Sequence, residues 1–253
     1  MQDWFPRIVS YNRFVEFQKE VLLPMVIFIQ QVLLGKCTGI SFVDSTALRV
    51  WKNQRIHCHK VFEVFAVQGK HSMDWFFGFK LHLIINEKGE LLNFMFTRAN
   101  VDDRESLTQE SFIKNIHGKL CGDKGYISQR LFDHLFVNGI QLITTIKNNM
   151  KNSLMSVADK VLIRKRALIE SINDELKNMV QIEHSRHRSF VNFLVNLIAE
   201  LSAYCFFPKK PSLRIERHSD NQLCLFNIIL NSRYLQRKPL LISHSFTSTQ
   251  SVF

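Results

Sequence analysis

Along the apolar-rich start of the chain, residues 11 to 34 read as one or two helices, with Pro24 as a break. From residue 39 the pattern changes. "GISFVD", residues 39–44, is a short β-branched and aromatic run that ends on an aspartate. "FFGFKLHLIIN", 76–86, and "ELLNFMFT", 90–97, read as strands joined by a turn at Glu87-Lys88-Gly89, which is a hairpin signal. "NVDDRES", 100–106, reads as a helix start, with acids where the helix dipole favours them. "KLCGD", 119–123, is another short strand ending on an aspartate. "SQRLFDHLFVNG", 128–139, is an amphipathic helix closed by Gly139, and "IQLITTI", 140–146, is a strand. Long helical patterns follow over 156–180 and 188–206. Antiparallel strands beside βαβ units predict an α/β fold: a mixed sheet flanked by helices, preceded by a helical segment.

Composition narrows the partners. The chain has 253 residues, 33 Lys plus Arg and 22 Asp plus Glu, for a net charge of +11. A hydrophobic fraction of 46% with 22 Phe excludes a disordered basic tail. The charge points to an anionic partner, nucleic acid first and a membrane surface second, against the plainer reading of a soluble basic protein. The five cysteines, Cys37, Cys58, Cys121, Cys205 and Cys224, form no CxxC pair, so reduced thiols are expected. The N-terminus lacks the basic-then-apolar order of a signal peptide. Val21 to Leu34, interrupted by Pro24 and Gln30-Gln31, is too short to span a bilayer. A cytoplasmic protein without membrane association is the expectation.

Two aspartates then stand out. Asp44 and Asp123 both close predicted strands, where ligands bind in open α/β sheets. Each on its own reads more simply as a cap of the following turn. A third element adds weight. Arg166, Glu170, Asn173 and Lys177 are spaced four, three and four apart and form one row on a helix. Leu162, Ile169, Ile172, Leu176 and Met179 form the adjacent apolar stripe. The row is equally an ordinary line of surface ion pairs. Two aspartates and a glutamate can bind two hard cations and drive in-line phosphoryl transfer, with Mg²⁺ favoured by oxygen ligands. Lys177 and Arg166 would then contact phosphates.

Other candidates are weighed in the same way. Arg49, Lys52, Arg55 and Lys60, with Trp51, His57 and His59 and no intervening acid, read as a DNA-contacting loop or as a solvated basic one. Lys124 and His187 join the candidate DNA contacts. His57, Cys58 and His59 lack the second pair that a zinc site needs. His184 and His187 read as phosphate contacts or helix caps. Asp102 and Asp103 read as a helix start, and "DWFFGFK", 74–80, as core.

These motifs together resemble the DDE transposases of bacterial insertion sequences, which have a ribonuclease H-like catalytic core. "FVDST" resembles the first-aspartate strand, and "NVDDRE" with "GDKGYIS" the region of the second aspartate. "RALIESINDELK" fits the signature of Arg, three residues, Glu, six residues, Lys. "IEHSRHRS" and "VNFLVNLIAELSAYCFFPKKPS" resemble the end of the insertion-sequence family designated 982. The signature usually carries a Tyr three residues before its Arg, where this chain has Ile163. The resemblance implies Asp44, Asp123 and Glu170 as catalytic, metal-binding residues, with Mg²⁺ or Mn²⁺ as cofactor. It implies double-stranded DNA, both element ends and target, as substrate, cut at terminal inverted repeats and joined, by a homo-oligomer on the bacterial nucleoid. The expected organisation is a helical segment over 1–38, shorter than in relatives, a ribonuclease H-like domain over 39–210, and an atypical tail over 211–253. A non-catalytic DNA-binding remnant and a nuclease without strand transfer are the alternatives.

Overall fold

The structure, a computed structural model, describes residues 9–51, 61–70, 74–145, 155–183 and 189–214. Helix α1 (Tyr11–Phe28) starts where Ser10 caps Arg13 N–H. It runs through Pro24 instead of breaking there and ends in one wide π-type turn, Ile29–Leu33. Pro24 and Glu20 both face solvent, so water can take the Glu20 carbonyl that lacks a Pro24 N–H partner.

The sheet is built from β1 (Ile40–Trp51), β2 (Val67–Lys70), β3 (Trp75–Asn86), β4 (Leu91–Arg98), β5 (Gly118–Gly122) and β6 (Ile140–Thr144). Its order is β2-β3-β1-β5-β6, with β4 paired to β3. The β1–β3, β2–β3 and β3–β4 pairs are antiparallel, whereas β1–β5 and β5–β6 are parallel. This is the mixed, helix-flanked sheet expected of a ribonuclease H-like core. The β3–β4 turn matches its sequence signal, with Gly89 at φ +74°. The Tyr204 hydroxyl donates to the Gly89 carbonyl at 2.7 Å and ties the C-terminal helix to this turn.

Other features of the sheet and helices differ from the sequence reading. β1 does not stop at Asp44; it continues to Trp51, because Ser45 to Trp51 pair along β3 as far as Phe77. β2 gives no alternating signal in the sequence; its four residues pair with Trp75–Gly78 at the start of β3. The single helix expected over 156–180 is two, α5 (Val157–Arg164) and α6 (Ala167–Asn178). At the join the Arg166 N–H bonds Ile163 and the Leu168 N–H bonds Lys165, three residues back instead of four, so the chain tightens and turns.

The other helices are short α2 (Asp103–Ser106) and α3 (Glu110–Ile113), α4 (Gln129–Val137) and α7 (Phe190–Cys205). Alternation sorts the side chains of the sheet onto two faces. On one, Val43, Ile84 and Leu120 pack with Leu107, Leu131 and Leu135. On the other, Phe62, Phe79, Phe96, Phe190 and Phe193 form a cluster of aromatic contacts under α7. There α6 buries Ile169, Ile172 and Leu176 completely. Each such side chain contributes roughly 1.5–3 kcal/mol of burial. Met179, placed by spacing in the same stripe, is 65% exposed because α6 has ended at Asn178. Phe76, Phe77 and Phe79 of "DWFFGFK" are core, as expected, while Trp75 is largely exposed. Among the described residues Cys37, Cys121 and Cys205 are free thiols, and no helix is long and apolar enough to cross a membrane.

Candidate active site

The parallel pairing of β1 with β5 brings Phe42 opposite Cys121. Two residues further along each chain stand Asp44 and Asp123. Alternate residues share a face and adjacent strands lie about 4.8 Å apart. Asp123 keeps an extended backbone, φ −74° and ψ 165°, just past the end of β5. The two aspartates are thus neighbours on the face that α6 covers. Asp123 makes no side-chain capping bond to the turn that follows it, so the simpler capping reading does not hold for it. Asp44 lies within a strand and caps no helix.

Helix α6 supplies the third side. The Asn173 amide Nδ2 donates to Asp44 Oδ2 at 3.1 Å. Arg166, at the N-terminal boundary of α6, places Nη1 3.9 Å from the same oxygen. Its Nη2 also donates to Glu170 Oε1. The row read from spacing is therefore real in its first three members, and it faces Asp44. Arg166 and Asp44 are about one-fifth exposed, and Glu170 is 52% exposed. Burial raises the Asp44 carboxyl to about 6, the Arg166 guanidinium and the Ser45 N–H oppose the rise, and the Glu170 and Asp123 charges add to it. The three carboxylates thus share one electrostatic site, partly neutralised by one guanidinium.

The other expected contacts divide. Lys177, the fourth of the row, pairs with Glu183 at 3.1 Å. Arg49 is exposed and stands 3.9 Å from Asp74. Lys124 is exposed in the short 3₁₀ turn Lys124–Tyr126, next to Asp123. Lys52, Arg55 and His187 lie outside the described residues, as do Lys60, His57, Cys58, His59 and His184. Asp102 caps α2, accepting from Arg104 N–H at 2.9 Å, and its ion pair with Arg104 holds its carboxyl down at about 2. Asp103 pairs at 3.0 Å with Lys80, a buried lysine that also donates to the Val101 carbonyl at 2.8 Å. Both aspartates are structural, as their place at a helix start suggests. Sequence spacing put Asn173 in the active row and gave it no role; only the distance to Asp44 does so.

Asp44, Asp123 and Glu170 offer only hard oxygen donors, a set suited to Mg²⁺ or Mn²⁺. Among the described residues no three His, Cys, Asp or Glu side chains are drawn together closely enough to hold a metal ion in this arrangement. Glu170 is instead turned to Arg166.

The family model described as "Transposase DDE domain" matches residues 34–190, which include all three carboxylates, the sheet and α6. The chain belongs to that family. No curated protein matches the sequence. Among solved structures, a piggyBac transposase synaptic complex with hairpin DNA is similar at 11% identity and a TM-score of 0.42. The match covers 82% of this chain and 56% of that one, so the chain spans little more than half of its relative's length.

Proposed function

We propose that the protein is a DNA transposase that cuts at terminal inverted repeats and joins the freed ends to target DNA. The observation that carries this reading is the placement of Asp44 on β1 and Asp123 just past β5, with α6 bonded to Asp44 through Asn173 and the Glu170 charge acting on it, inside a DDE domain. Asp44, Asp123 and Glu170 would hold the divalent cations, Mg²⁺ with Mn²⁺ as substitute. When bound, such ions activate the attacking oxygen and stabilise the leaving one in an in-line displacement at phosphorus.

The chain's own residues have separate tasks. β1 and β5 fix Asp44 and Asp123 on rigid backbone, while Glu170, half exposed, can turn from Arg166 towards the cations. Arg166 then gains a phosphate in exchange for a carboxylate, as a guanidinium can pair with either. Lys124, Lys177, Arg49, Lys52, Arg55 and His187 surround the site in sequence and are proposed as further contacts to the DNA backbone. The partners are double-stranded element ends and target DNA, engaged by a homo-oligomer in the bacterial cytoplasm at the nucleoid.

The test is a reaction of purified protein with Mg²⁺, labelled element ends and a supercoiled target plasmid. Label recovered in joined plasmid is the expected product. Cleaved ends without joining would instead identify a nuclease, and bound but uncut ends a DNA-binding remnant.

A further inference from the structure

Asn173 carries an unsatisfied group at the centre of the site. The residue is 8% exposed, and its Oδ1 is buried without a hydrogen-bond partner. The Nδ2 of the same amide is bonded to Asp44 Oδ2 at 3.1 Å. The orphan oxygen is therefore within the width of one amide of the Asp44 carboxylate. A buried acceptor without a donor is costly, and native proteins leave few of them. An acceptor kept there, beside carboxylates and facing no donor, is suited to a ligand that accepts electron pairs.

We propose that Asn173 is a fourth member of the metal centre, its Nδ2 orienting Asp44 and its Oδ1 serving as a neutral oxygen ligand to the divalent cation. The inference rests on the reading of Asp44, Asp123 and Glu170 as metal ligands. Side-chain amide oxygens are ordinary ligands of hard cations. A neutral one adds a donor without adding to the repulsion among three carboxylates. Its position follows from the helix: three residues after Glu170, Asn173 is one turn along the same face of α6.

Mn²⁺ titration of the full chain without DNA, followed by the paramagnetic resonance of free Mn²⁺, tests this without using activity. Asn173→Leu removes both polar atoms at similar volume and should weaken Mn²⁺ binding about tenfold or more, the scale on which neighbours of a metal centre act. Asn173→Asp keeps an oxygen in place of Oδ1 but gives up the Nδ2 donor to Asp44, so it should bind Mn²⁺ more tightly than Asn173→Leu. Asn173→Leu binding like the wild type would overturn the proposal, as would Asn173→Asp losing as much affinity as Asn173→Leu. If Asn173→Leu does not fold, Asn173→Ala, which removes the same oxygen at smaller volume, takes its place, and wild-type affinity there overturns the proposal. Asp44→Asn serves as the reference. Weak binding by Asp44→Asn with Asn173→Leu unchanged sinks only the role of Asn173, whereas Asp44→Asn binding like the wild type sinks the metal centre itself.

Discussion

Arg166 is the residue on which the site turns. It lies 3.9 Å from Asp44 and is bonded to Glu170, so a single guanidinium stands where two carboxylates would otherwise repel each other. Such a pair is legible from sequence as an i,i+4 spacing, but spacing cannot say whether the pair faces water or a third charge. Only the placement of α6 over β1 decides that. A second residue-scale case lies away from the site. Burial on α7 raises the Glu200 carboxyl to about 8, although Asn196 donates to it. The unfolded chain releases this proton near the ordinary 4.5 while the folded chain retains it. Stability from this group is therefore present below pH 4.5 and is lost as pH rises through about 8. Glu200→Gln should raise the melting temperature more at pH 9 than at pH 5, by at least about 2 °C. Thermal melts of both proteins at the two pH values check this, and an equal shift at both would refute it.

At the scale of elements, the sequence patterns located most strands and helices because burial dictates them. The β3–β4 hairpin, α4 with its Ser128 cap and the α2 start at Asp102 all stand where their turn and cap residues place them. What failed was continuity. Nothing in "RKRA", 164–167, marks a helix break, since no Gly or Pro is present and the apolar spacing runs on. A charge in mid-strand reads as an end, so the pattern closes β1 at Asp44, yet the strand continues along β3. The apolar stripe likewise ran too far. Leu176 is fully buried and Met179 is 65% exposed, although spacing alone treats them alike. Leu176→Ala should cost about 2–5 kcal/mol. Met179→Ala should stay within about 0.5 kcal/mol of the wild type. Urea unfolding of the two variants measures the difference, and comparable losses would contradict the burial described for α6.

For the whole molecule, the net charge of +11 acquires a location in the chain. Basic residues follow the ends of three elements: Lys52, Arg55 and Lys60 after β1, Lys147 and Lys151 after β6, and Arg186 and Arg188 after α6. Those segments lie outside the described residues, so their charge is legible in sequence and their geometry is not. If DNA phosphates are their partners, binding must release counterions. Affinity for element-end DNA should then fall by about 10³-fold or more between roughly 50 and 200 mM salt. Fluorescence anisotropy against salt concentration tests this, and an affinity that barely moved would argue against a phosphate-dominated contact. The central claim is narrower than binding: three carboxylates from β1, the end of β5 and α6 act as one catalytic unit. Mg²⁺-dependent cleavage of labelled element ends by Asp44→Ala, Asp123→Ala and Glu170→Ala, compared with the wild type, measures it directly. Each substitution should lower the rate by at least about 10³-fold while DNA is still bound, as for members of a unit that act together. Cleavage that survives any one of the three would contradict the account.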